Sequence, residues 1–90
     1  MCRSIKPLFN FEPPSTDEDI RAAALQFVRK ISGFTRPSKV NEHAFFSAVA
    51  EISDASARLL RSLETSAEPK DRADELAKKR ARMQRRFTTQ

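Results

Sequence analysis

The chain opens MCRSIKPLFNFEPP and places its only cysteine at position 2. If Met1 is removed, Cys2 carries a free amine and a thiol on one residue, the equipment of an N-terminal nucleophile. Arg3 and Lys6 would tune it by favouring the thiolate. Such chemistry also needs an oxyanion hole on a scaffold that shields the reaction, and a helical chain with one Gly has few loop N–H groups to build one. Metal ligation would have to join Cys2 to His43, the only His, and to a carboxylate such as Glu42. No CxxC or HExxH spacing supports that, so neither metal nor cofactor is expected. A small hydrophobe tucked under the N-terminal segment is the commoner role for such a cysteine. Thiol-dependent function at Cys2 stays the alternative, not the leading reading.

The second chemistry-bearing group is cationic. The 90 residues carry 17 Lys and Arg against 12 Asp and Glu, a net charge of +5. Residues 1–66 hold nine basic and eight acidic side chains, and residues 67–90 hold eight and four. The excess therefore belongs to the C-terminal segment. On a helix, Lys78, Lys79, Arg82, Arg85 and Arg86 fall on one arc, with Leu76, Met83 and Phe87 expected opposite. Such an arc can neutralise phosphates or an acidic protein surface. It is also what a solvated helix would show, since Asp74–Lys78 and Glu75–Lys79 are favourable i,i+4 pairs. No aromatic side chain interleaves with the bases, so stacking on single strands is not supported. Arg36 and Lys39 beside Ser38 form a smaller basic group where a second helix should start.

These groups have to be positioned by helices. Pro7, Pro13 and Pro14 keep residues 1–15 irregular, and Leu8, Phe9 and Phe11 are expected to lie across the helices as a lid. Ser15 with Glu18 fits a capping box, with Thr16 as a rival cap. Ile20, Ala24, Phe27, Val28 and Ile31 then recur at helical spacing. Gly33 falls where a left-handed residue would end the helix. Ser38 is the expected cap of a long second helix ending near Leu63 or Thr65. Its stripe is Phe45, Val49, Ile52, Ser56, Leu59 and Leu63. The short connection implies an antiparallel hairpin. Residues 64–70 read as a hinge, and a third, basic helix is expected from Asp71 to about Phe87. Its apolar line is thin, so it should dock weakly, fit a partner or fray at its end.

The totals exclude several classes. One Gly removes Gly-rich phosphate loops and argues against an all-β fold. One Cys removes an internal disulfide and fits a reducing cytoplasm. No apolar run approaches a membrane span, and the N-terminus lacks the apolar core of a signal peptide.

The segments MCR-x-IK, NFEPP, IRAAALQFVRKISGF and RPS-x-x-NE resemble a small bacterial family, domain-of-unknown-function family 2277. The resemblance covers most of the chain. It departs at Ser4, where the family pattern has Asn, and at Ser15, where it has Ala. It implies a short, stand-alone bacterial protein, and carries over no activity, cofactor or site residue.

The expectation is one all-α domain of residues 1–90. It comprises an irregular N-terminal lid (1–15), an antiparallel helical hairpin (16–66) and a basic C-terminal helix (67–90). The expected role is a non-enzymatic, cytoplasmic binding or accessory module. Lys78, Lys79, Arg82, Arg85 and Arg86, joined by Arg36 and Lys39, would contact an acidic protein or nucleic acid. Homodimerisation through the broad face of the second helix and the thin stripe of the third is a further option.

Overall fold

The structure is a computed structural model that describes residues 5–88, with side chains through Gln84. Helix α1 spans Asp17–Ser32, a short 3-10 turn Lys39–Asn41 leads into helix α2 at Glu42–Ser62, and helix α3 spans Arg72–Thr88. Two two-residue strands, β1 (Phe11–Glu12) and β2 (Lys70–Asp71), form a parallel pair, Phe11 opposite Lys70 and Glu12 opposite Asp71. The fold is all-α apart from this clip.

Helix α1 starts as its sequence demands, one residue later than the Ser15 reading. Thr16 is the N-cap: its hydroxyl accepts from the Asp19 N–H at 3.2 Å, and the Asp19 carboxylate accepts from the Thr16 N–H at 2.9 Å. That reciprocal pair satisfies two otherwise unpaired donors. Asp17, Glu18 and Asp19 crowd the first turn and Arg29 and Lys30 the last, as the helix dipole favours. Gly33 ends the helix at φ 78°, and its N–H reaches the Arg29 carbonyl at 2.9 Å. A Cβ at this positive φ would be strained, which is why the single glycine is spent here.

Ser38 does not cap α2. It precedes the 3-10 turn, its hydroxyl accepts from the Asn41 amide at 2.8 Å, and α2 begins only at Glu42. The C-terminal end matches expectation, with Leu63 as cap.

The core lies between α1 and α2. Ala24 and Val28 from α1 pack with Phe45 and Val49 from α2, and Leu25, Ala48 and Ile52 close around them. Ile20 is also buried, and Val49 has no exposed surface. The buried line on α1 advances in steps of four, 20–24–28, so each side chain sits one turn above the last. Two members of the expected stripe leave it: Phe27 is 43% and Ile31 67% exposed. Ile31 lies in the final turn, beyond the core cluster, where the connection to α2 carries the chain away. On α2, Ser56 is half-buried, while Leu59 and Leu63 are exposed.

Helix α3 stands off from this pair. The Cα radius of gyration is 16.2 Å and the extents are 47 × 39 × 18 Å, whereas a compact chain of this length would have a radius near 12 Å. The β1–β2 clip and a set of side-chain bonds hold α3 in place. The space between α1 and α3 is an open cleft.

Candidate functional site: a cationic cleft between the helices

The N-terminal segment is fixed by one asparagine and one arginine. Asn10 takes a left-handed backbone, φ 63°, which Asn tolerates better than most residues. Its amide donates to the carbonyls of Ala67 (3.4 Å) and Glu68 (3.2 Å), and its own carbonyl accepts from the Lys70 N–H at 2.8 Å. The 64–70 stretch is therefore tied to the segment before α1. Arg72, the first residue of α3, completes the tie. Its Nε donates to the Pro13 carbonyl at 2.8 Å, and one Nη donates to the Ser15 hydroxyl (2.8 Å) and the Asp19 carboxylate (3.3 Å). The Ser15 hydroxyl in turn donates to the Leu8 carbonyl at 2.7 Å. So Ser15, expected as a helix cap, instead links the lid to α3.

Phe11 sits beneath two cations. The Lys70 ammonium lies 6.0 Å and the Arg72 guanidinium 5.6 Å from its ring centre, within cation–π range. Parallel pairing puts Phe11 opposite Lys70, and the i,i+2 spacing of a strand puts Arg72 on the same side.

Leu8, Phe9 and Phe11 of the N-terminal segment are each partly covered. On one side Leu8 and Phe9 border a small hollow of about 370 Å³ with Ile20, Ala57 and Leu60. On the other side Leu8 and Phe11 border the main cleft, about 750 Å³.

Five cations line that cleft: Lys6, Lys70, Arg72, Lys79 and Arg82. Two acids share it, Asp19 and Glu75, and both are committed, Asp19 to Arg72 and Glu75 to Lys78 at 3.7 Å. Lys6, Lys79 and Arg82 have no carboxylate partner among the described residues. The Lys6 and Lys79 ammonium groups come together, and this contact, with the charge repulsion it brings, holds the Lys79 amine below its ordinary 10.5. Two ammonium groups that meet in this way disfavour each other's charged form.

The wall is mixed. Ala22 and Ala23 of α1 face Leu76 of α3 across the cleft, between the cations. Here the expected division of α3 into opposite basic and apolar faces fails. Arg72, Leu76, Lys79 and Arg82 share one wall, because residues four, seven and ten positions on from Arg72 return within about a third of a turn of it. Lys78 is turned aside, exposed and paired with Glu75.

The other expected residues are placed as follows. Arg36 and Lys39 lie exposed in the connection between α1 and α2 and do not line the cleft. Arg85 and Arg86 belong to α3 by backbone, and their side chains lie outside the description. Cys2 and Arg3 lie outside the described residues, so the thiol reading gains no geometry. His43 is exposed, and no group of three metal-ligating side chains occurs among the described residues. Phe11, Lys70, Arg72 and Lys6 as cleft residues escaped the sequence reading. The only signal was the alternation of Lys70 and Arg72 around Asp71, which looks like an ordinary hydrophilic loop.

The comparisons with known proteins bear on the same chain. The pattern of the uncharacterized conserved protein family DUF2277 matches residues 1–78. The chain belongs to that family. The match takes in the N-terminal segment, both helices of the core and the start of α3, and ends at Lys78, so Lys79 and Arg82 lie just beyond it. No curated protein and no solved structure matches. No helix among the described residues is long and apolar enough to cross a membrane.

One titration tests the clip at the start of α1. Asp19 is held below its ordinary 3.8, first by the Thr16 N–H, then by the Thr16 hydroxyl and Arg72, against an opposing cost of partial desolvation. A depressed carboxylate adds stability that is present above its unfolded pKa and lost as pH falls through the folded one. Stability should therefore drop as pH falls below about 4. Asp19→Asn should flatten that limb, measured by thermal melts between pH 2 and 6. An unchanged acid limb would mean that the carboxylate is not engaged in solution.

Proposed function

We propose that this DUF2277 protein is a non-enzymatic binding module that captures an anionic group in the cleft between its N-terminal segment, α1 and α3. The observation that carries the reading is the meeting of Lys6 and Lys79, with Arg82 on the same wall and no carboxylate paired with any of the three among the described residues. Folding holds these charges together at a cost, and a bound anion removes it. Of the basic arc expected on α3, Lys79 and Arg82 serve this site directly. Lys78, Arg85 and Arg86 add long-range attraction, screened over about 8 Å at physiological salt. A reducing cytoplasm is the compartment that suits a chain with one cysteine.

The reading makes a stability prediction with an unusual sign. Lys79 is depressed, so its charged form is disfavoured by folding at every pH below its folded pKa, and the penalty fades as pH rises through 10.5. At pH 7, Lys79→Gln should therefore fold at least as stably as the wild type. Sodium pyrophosphate should raise the wild-type Tm above that in sodium chloride of equal ionic strength, and raise the variant's Tm far less. A pyrophosphate effect of the same size in both proteins, or in neither, would refute the site.

A further inference from the structure

Charge alone does not account for how this cleft is lined. Resting on the reading just given, we propose that its ligand is a small organic anion with an apolar body: a phosphate-type dianion carried on a hydrophobic group, and not a polymer of phosphates.

Size is the first observation. The cleft encloses about 750 Å³, within the roughly 300–1,000 Å³ of small-molecule sites. A site for a phosphate polymer is an extended cationic track that follows the backbone. Here the cations gather at one open notch, bounded by the lid on one side and by helices on two others.

The second observation is where apolar side chains stand relative to charge. Leu76 projects into the cleft one turn before Lys79 on the same helix, and Ala22 and Ala23 face it from α1. Leu76 is 45% exposed and is absent from the core cluster. An exposed leucine within a ring of lysines and arginines does little for folding. It gives an apolar ligand body a surface to cover. The two alanines make room: larger side chains at those positions would fill the gap between α1 and α3.

The third observation is the supply of donors. Three N–H groups of Arg72 are engaged by Pro13, Ser15 and Asp19, and the Lys70 and Arg72 cations both lie over Phe11. The cleft cations with neither kind of contact are Lys6, Lys79 and Arg82: two point charges and one planar fork. That set suits the three terminal oxygens of a phosphomonoester, with the guanidinium bidentate on two of them. The organic remainder would then extend along Leu76 toward Leu8 and the alanines.

The discriminating experiment compares two ligands with the same head group. Titration calorimetry of the full chain with 1-naphthyl phosphate and with methyl phosphate, at one salt concentration, isolates the apolar body. Burying a naphthyl face should favour the first ligand by about tenfold or more. Leu76→Asn should erase that preference while leaving methyl phosphate unchanged. Because Leu76 is outside the core, the variant should keep the wild-type Tm. Lys79→Gln should weaken both ligands. Equal affinity for the two, both dependent on Lys79, overturns the proposal and leaves the anion-binding reading standing. No binding of either ligand or of pyrophosphate overturns both. Tighter binding of an oligothymidylate, lost when Lys78, Arg85 and Arg86 become Gln but not when Lys79 does, overturns the proposal in favour of an outward-facing contact with nucleic acid.

Discussion

Replacing Phe45 with Ala is expected to lower stability by about 3–5 kcal/mol, the range for deleting a buried aromatic side chain. The whole fold rests on very little. Among the described residues, five side chains form the buried core, Ile20, Ala24, Val28, Phe45 and Val49, and only Phe45 of these is aromatic. Its ring packs on Ala24, Val28 and Val49 and meets the edge of Phe46 at 5.1 Å and 74°. Phe46 cannot take its place, because it faces outward and is 45% exposed. A domain of this size has about 5–10 kcal/mol of net stability, so Phe45→Ala should bring the chain close to its unfolding threshold at 25 °C. Phe46→Ala, one residue along, should cost about 1 kcal/mol or less, mainly the lost edge contact. Urea unfolding of the two variants measures the contrast. Similar midpoints for both would mean that the core is not between α1 and α2 as described.

That core was legible from spacing. Ala24, Val28, Phe45 and Val49 recur in steps of four, and a period near 3.6 can hide them only on one helix face. The helix ends were legible for a related reason: each depends on a local side chain or a local backbone conformation, such as Gly33 at φ 78°. The errors have a common source as well. Ser15 and Ser38 both look like caps, because a cap is recognised by residue type a few positions before an apolar run. Each turned out to have a competing partner, Ser15 in Arg72 and Leu8, Ser38 in Asn41. For Ser15 the decisive partner lies 57 residues away, and no local pattern encodes that.

The cleft was illegible on the same grounds. Lys6 from the N-terminal segment and Lys79 from α3 are separated by most of the chain. They meet only because Asn10 and Arg72 bind the two ends of the sequence together. The sequence reading did place excess positive charge on the last helix, and Lys79 and Arg82 are part of the site. It assigned the wrong geometry to their neighbours. With apolar and basic faces set on opposite sides, a charged outer surface follows. With Leu76 and Lys79 on one wall, a notch that is both greasy and cationic follows. The two arrangements call for different ligands.

Arg72 ties the N-terminal segment to α3, and its removal should have the second large effect. Arg72→Ala deletes three hydrogen bonds, to Pro13, Ser15 and Asp19, and the cation over Phe11. The guanidinium is partly exposed, with 36% of the side chain open to solvent, so water recovers part of what is lost. A global cost of about 1–2 kcal/mol is expected, a fall in Tm of roughly 4–16 °C for a chain of this length. The more telling effect is local. The core does not include α3, whereas the clip that holds it does depend on Arg72. Amide exchange should therefore quicken through Lys70 and the first turns of α3, while amides of α1 and α2 beside Val28 and Val49 keep their protection. Anion binding should fall with it, because Lys79 and Arg82 would no longer be held against Lys6. Arg72→Lys should rescue little, since a single ammonium cannot span Pro13, Ser15 and Asp19 in the way a planar fork does. Loss of binding in Arg72→Ala together with unchanged exchange in α3 would separate the clip from the site. Uniform loss of protection across all three helices would instead make Arg72 part of the cooperative core, and the division of the chain into a stable pair and a tethered third helix would have to be abandoned.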